Sequence, residues 1–194
     1  KLEYAKTLAA SLTYLMLKQQ DAVGLTLFDS KIRSLIEPKS KPNHIKALFS
    51  IMENIVPGPD TKIGKILHLS AESIKKRGLI IIISDFLDDL DDIASGIKHY
   101  RYKGHEVILF HILDDAEINL TFSERTKFVD LETQETITTE PWHIQKDYKK
   151  KIEEFCNDLR THCRINKVDY VLLPTSKPIE LGLFDYLIKR RKIY

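Results

Sequence analysis

Apolar residues at Tyr4, Leu8, Leu12, Leu15 and Met16 recur every three to four positions, a spacing that predicts a first helix ending near Gln20. The run Val23 to Phe28 reads as a strand that stops at Asp29-Ser30, and Ile32 to Ile36 as its antiparallel hairpin partner before the breaks at Pro38 and Pro42. Ile45, Leu48, Phe49 and Met52 share one face of a second helix. After the turn Pro57-Gly58-Pro59-Asp60, Asp60 or Thr61 is placed to cap a helix from Lys62 to about Lys76. Leu79 to Ile83 is apolar without alternation, so both of its faces must be covered, as in a central parallel strand. Further on come a helix over Asp88 to Tyr102, a buried strand over Val107 to Leu113 and a threonine-rich β excursion within Thr121 to Thr139. A helix over Trp142 to Cys163, a strand over Val168 to Leu173 and a helix over Pro178 to Arg191 complete the series.

Strand and helix patterns alternate nearly throughout, which predicts an α/β fold with a mostly parallel sheet and helices on both faces. In such folds the ligand site lies beyond the carboxyl ends of the strands. Function is therefore sought at Asp29-Ser30, Ser84-Asp85, Asp114-Asp115 and Pro174-Thr175.

The 194 residues fit one domain over 1–194, with the β excursion at about 118–141. Hydrophobic residues at 43% and charged residues at 30% describe a globular chain, and no apolar run is long enough to cross a bilayer. A net charge of +2 gives no basis for a nucleic-acid partner, and Lys149 to Lys151 and Lys189 to Lys192 read as solvated helix faces. Cys156 and Cys163 lie seven positions apart on one helix, about 10 Å, beyond disulfide reach. Two reduced core thiols suit a cytoplasmic protein.

Candidate chemistry is sparse. Asp85 is delivered straight off a buried strand, where it can be a metal ligand, a general base or the cap of the next helix. The Thr61 hydroxyl stands at a helix start one unit earlier, and a hydroxyl converging with a carboxylate suits a hard cation such as Mg²⁺. Asp88, Asp89, Asp91 and Asp92 read as helix N-terminal charges rather than ligands. No phosphate-binding loop, dinucleotide fingerprint or Gly-x-Ser-x-Gly elbow occurs. Among the seven histidines the spacing shows no His/Cys metal cluster; His105 and His111 share one face of their strand, with His111 read as buried and hydrogen-bonded. Trp142, Tyr148 and Phe155 read as core packing.

Several blocks, in this order, resemble the family known as domain of unknown function 58 (DUF58). They are Lys1-Leu2-Glu3-Tyr4-Ala5, Asp21-Ala22-Val23-Gly24-Leu25 with Phe28, Thr61 after the Pro-Gly turn, and Gly78-Leu79 through Ile83-Ser84-Asp85-Phe86-Leu87. Gly104-His105-Glu106-Val107 and Val168-Asp169-Tyr170 follow. The resemblance implies a von Willebrand factor A-like domain with a metal-ion-dependent adhesion site, built from an Asp-x-Ser-x-Ser loop, a threonine and an aspartate. Thr61 then corresponds to the threonine and Asp85 to the aspartate, with Mg²⁺ as the ion and Asp29, Ser30, Asp60 and Phe86 as partner-binding neighbours. The Asp-x-Ser-x-Ser loop would lie just before Lys1 and is not among these residues. The strand leading into it would sit between the Val23 and Leu79 strands, so the first central strand is expected to be missing and the domain to be N-terminally incomplete. By the same resemblance the domain is a binding module rather than an enzyme, partner of a MoxR-type AAA+ ATPase in chaperone-like or cofactor-insertion assembly. A metal-dependent hydrolase using Asp85 and Asp114, and a structural domain with a decayed metal site, are the alternatives.

Overall fold

A computed structural model describes residues 1–56, 63–120, 126–129, 136–139, 141–181, 183, 184 and 187. Helix α1 (Leu2–Lys18) leads into strand β1 (Val23–Phe28), which pairs antiparallel with β2 (Ile32–Lys39). β2 runs through Pro38 instead of stopping before it. The ladder is irregular between Val23 and Leu25, and Gly24 leaves room there: a Cβ on it would lie 2.7 Å from the Ile36 carbonyl and 3.0 Å from the Pro38 ring.

Helices α2 (His44–Glu53) and α3 (Ile63–Ser73) follow, then β3 (Leu79–Ser84), α4 (Leu90–Tyr102) and β4 (Glu106–Leu113). A short helix α5 (Asp115–Asn119), which apolar periodicity does not reveal, comes next. Strands β5 (Thr126–Val129) and β6 (Thr136–Thr139) pair antiparallel, and α6 (Pro141–Ile165) and β7 (Asp169–Pro174) close the order. The described part of the last segment is helical at 179–181, 183, 184 and 187; the remainder of the helix expected over Pro178 to Arg191 lies outside the described residues, as does the turn Pro57 to Lys62.

The molecule is a mixed α/β structure around a parallel sheet of order β3-β4-β7, in which Leu79 pairs with Glu106 and Ile108 with Asp169. Period-two geometry sends alternate residues of each strand to opposite faces. Ile80, Ile82, Val107, Leu109 and Tyr170 face a core made with Ile63, Leu67 and Ala71 of α3, Ile93 and Ile97 of α4, and Phe155 and Leu159 of α6. Leu79, Ile81, Ile83, Ile108, Phe110, Ile112, Val171 and Leu173 face the second core, made with Leu8 and Leu12 of α1 and with Ile179 and Leu183. The unbroken apolar run of β3 follows from this double coverage.

The β1-β2 hairpin forms its own two-stranded sheet, and no ladder joins it to β3 among the described residues. Phe28 of β1 nonetheless packs on the α3-α4 core. Cys156 and Cys163 are free and buried, and burial pushes the Cys163 thiol up to about 12.

Candidate functional site

All three parallel strands end on one rim, which carries Asp85 after β3, Asp114 after β4, and Thr175 after β7. The chain turns sharply after Asp85 because Phe86 adopts a left-handed backbone, φ +50°, at a cost on the order of 1 kcal/mol for a non-glycine residue. Full burial of the Phe86 ring, edge-on to His111 at 5.6 Å between centroids, offsets that strain. The Ser84 hydroxyl accepts the Phe86 N–H at 3.1 Å. With the ring anchored inward, the Asp85 carboxylate is left at the rim, its side chain 39% exposed.

Asp85 does not cap the following helix. Asp89 does so, accepting the N–H groups of Asp91 and Asp92. Asp88 instead reaches sideways and accepts the Ile63 N–H at 2.7 Å, tying the start of α3 to the loop that follows β3. Asp85 is thereby free to meet Lys1, whose ammonium donates to it at 2.7 Å and also to Glu117 of α5. Burial works against the Lys1 charge, but the bonds to Asp85 and Glu117 outweigh it and hold its pKa above the usual range.

Glu117 is fixed in turn. Its carboxylate accepts the Asp114 N–H at 2.9 Å while the Asp114 carboxylate accepts the N–H of Ala116, a reciprocal cap at the start of α5. The second Asp114 oxygen accepts the Thr175 hydroxyl at 2.7 Å. The Ala116 amide and the Thr175 hydroxyl together hold the Asp114 carboxyl below its ordinary pKa. Ser176 donates to Asp115 at 2.8 Å and extends the polar rim.

Lys1 and Glu117 are members of this site that apolar periodicity does not reveal. The Asp114-x-x-Glu117 pattern is a capping-box signal, whereas nothing local marks the approach of Lys1 across the sheet. Thr61 and Asp60 lie outside the described residues; Ile63 is the described residue nearest them in the chain, and its N–H is bonded at this rim. Asp29 and Ser30 form the β1-β2 turn, where Asp29 accepts Arg33 Nε at 2.6 Å and the Lys31 N–H at 3.1 Å. The Arg33 guanidinium holds the Asp29 carboxyl below its usual pKa. Phe86, expected among partner-binding residues, has its ring fully enclosed and packed edge-on to His111, from where it sets the direction of Asp85.

Asp85 and Glu117 offer hard oxygen donors, and the ammonium drawn to both marks a point of negative potential that fits a cation. Among the described residues no group of three His, Cys, Asp or Glu side chains is arranged as a metal site. His111, beneath the rim, is buried and bonded through Nδ1 to the Tyr170 hydroxyl at 2.7 Å; burial pushes its pKa down to about 4, so its ring is neutral.

Comparison with protein families matches residues 1–156 to the family described as protein of unknown function DUF58. The chain belongs to the DUF58 family. Solved structures that resemble this DUF58 chain include the conserved hypothetical protein BatB from Bacteroides thetaiotaomicron, at 17% identity and a TM-score of 0.57, covering 98% of this chain and 88% of that one. Another is an aerotolerance-related membrane protein from Bacteroides fragilis NCTC 9343, carrying multiple mutations to serines, at 18% identity and a TM-score of 0.60, covering 90% of this chain and 82% of that one. At these identities the likeness speaks for the fold. No curated protein matches the chain. Among its described residues no helix is long and apolar enough to cross a membrane.

Proposed function

We propose that this DUF58 chain is a von Willebrand factor A-like protein-binding module with a Mg²⁺-dependent adhesion-type site, acting in the cytoplasm as partner of a MoxR-type AAA+ ATPase in chaperone-like or cofactor-insertion assembly. The observation that carries the reading is the presentation of Asp85. A carboxylate stands at the tip of a parallel strand with both faces covered, aimed outward by the buried Phe86 and matched by a cation, the Lys1 ammonium. Among the described residues no ladder joins the β1-β2 hairpin to β3, which accords with a further central strand between them, the position that the family resemblance gives to the strand before the Asp-x-Ser-x-Ser loop.

On this reading Asp85 and, by resemblance, Thr61 hold Mg²⁺, which turns an acidic residue of the partner into a specific charge-dependent contact. Glu117 keeps the rim negative, and Asp114 and Thr175 hold α5 and the end of β7 in place. The Asp114 carboxylate has protein donors on both oxygens, which favours a binding role for this rim over hydrolysis that uses Asp114 as ligand or base.

The test is pull-down of the MoxR-type ATPase by the full-length protein with Mg²⁺ or with chelator, for wild type and Asp85→Ala. Mg²⁺-dependent capture that Asp85→Ala abolishes, with the melting temperature retained, supports the reading. Capture that is indifferent to both the ion and the substitution refutes it.

A further inference from the structure

The closest approach of α3 and α4 is made by two glycines. A Cβ on Gly64 would lie 2.5 Å from the Asp92 Cβ, and one on Gly96 would lie 2.6 Å from the Leu67 Cβ, so neither helix has room for a larger residue at the crossing. One turn further along each helix, this closeness forces His68 and His99 together. Their Nδ1 atoms are 3.0 Å apart, with ring centroids at 5.2 Å and planes tilted by 43°.

What lies behind each ring sets the chemistry between them. Nε2 of His99 faces Glu72 Oε1 at 2.8 Å, and a carboxylate accepts, so that nitrogen carries a proton. Nε2 of His68 lies 3.2 Å from the Ser95 hydroxyl. When His68 likewise donates from Nε2, both Nδ1 atoms are bare lone pairs pointed at one another, an arrangement that calls for a positive centre between them. A histidine whose outer N–H is held by a carboxylate is the usual setting of a metal-bound imidazole, because the carboxylate fixes the tautomer and raises the basicity of the other nitrogen.

We propose that His68 and His99 form a surface site for a late first-row divalent transition ion, bound through both Nδ1 atoms, with Glu72 and Ser95 as positioning residues. With metal–nitrogen distances of about 2.1 Å, the 3.0 Å separation gives an angle of about 90° at the ion, the angle between neighbouring positions of a square-planar or octahedral centre. That geometry suits Cu²⁺ or Ni²⁺ as the helices stand, and Zn²⁺ after the nitrogens part slightly. Both histidines are half-buried and Ser95 and Glu72 are exposed, so the pair opens to solvent and leaves further ligand positions to water. Imidazole nitrogen separates this site from the rim at Asp85, whose oxygen donors suit Mg²⁺.

The test titrates the full chain, prepared without a histidine tag, with Ni²⁺ and Zn²⁺ at neutral pH against a chromophoric chelator, in the presence of millimolar Mg²⁺. Wild type is expected to take up one equivalent that Mg²⁺ does not displace. His68→Gln and His99→Gln, which keep a polar side chain and a half-exposed position, each weaken uptake at least tenfold, and Glu72→Gln weakens it on the order of tenfold. Far-ultraviolet circular dichroism of each variant separates loss of the site from loss of the fold. Uptake equal in wild type and the folded double variant overturns the proposal and leaves the pair sharing a proton only. Loss of ATPase capture in Asp85→Ala does not bear on this site, and loss of Ni²⁺ uptake in His68→Gln does not bear on the rim.

Discussion

The ammonium of Lys1 lies 2.7 Å from Oδ2 of Asp85, joining the start of the first helix to the tip of the first parallel strand across 84 positions of sequence. Both side chains are about one-third exposed, so the pair contributes no more than about 1 kcal/mol to stability. Its larger effect is electrostatic, because the ammonium already neutralises the charge that a divalent ion would seek. Lys1→Met is therefore expected to tighten Mg²⁺ binding several-fold while moving the melting temperature little. Titration calorimetry of both proteins checks this, and weaker Mg²⁺ binding in the variant would count against Asp85 as a ligand.

Phe86 carries the turn that aims Asp85. Phe86→Ala removes a fully buried ring and its edge-on contact with His111, and the expected loss is about 3 to 5 kcal/mol in urea unfolding. Phe86→Leu fills most of the volume and is expected to lose less than half as much. Equal losses for the two would mean that the ring's shape does not matter.

Gly96→Ala tests the α3-α4 crossing. The added methyl meets the Leu67 Cβ at 2.6 Å and cannot be relieved by a flexible side-chain end, so a loss of about 1 to 3 kcal/mol is expected despite the better helix propensity of alanine. A stabilised variant would show that the two helices move apart freely.

Acid should weaken the fold before the carboxylates titrate. His105 and His111 are buried, and burial lowers both pKa values, that of His111 from an ordinary 6.5 to about 4. Between those limits the unfolded chain binds protons that the folded one refuses, so stability is full above pH 6.5 and falls as pH drops towards 4. His111 alone accounts for on the order of 2 kcal/mol between pH 7.5 and pH 5. Urea midpoints across this range are the measurement, and His111→Phe should flatten the profile even though it leaves the Tyr170 hydroxyl without its partner. A midpoint unchanged between pH 7.5 and 5 would contradict the neutral, buried ring.

The sequence made the frame of the fold legible wherever one element's own pattern decided it. The apolar run of β3 has no alternation because cores lie on both of its faces, and the β1-β2 hairpin was readable from two short runs around Asp29-Ser30. Local signals gave way where neighbours competed. Among successive aspartates, Asp89 rather than Asp88 caps α4, because Asp88 is drawn to the Ile63 N–H. β2 passes Pro38 because the hairpin leaves it a ladder irregularity opposite Gly24. Asp85 could be singled out from its place at a strand end, but its partner Lys1 comes from 84 positions away, a distance at which periodicity carries no information. The same holds for His68 and His99, which are 31 positions apart and meet only because two glycines let their helices touch.

The buried thiols on α6 give this chain a built-in chemical clock. With its thiol pushed up to about 12, Cys163 is almost wholly protonated at neutral pH, and only after α6 lifts from the sheet can it lose its proton to water and attack an alkylating reagent. Its labelling in native buffer at saturating reagent, where alkylation outpaces reclosing, therefore measures how often that helix detaches, with no probe having to be introduced.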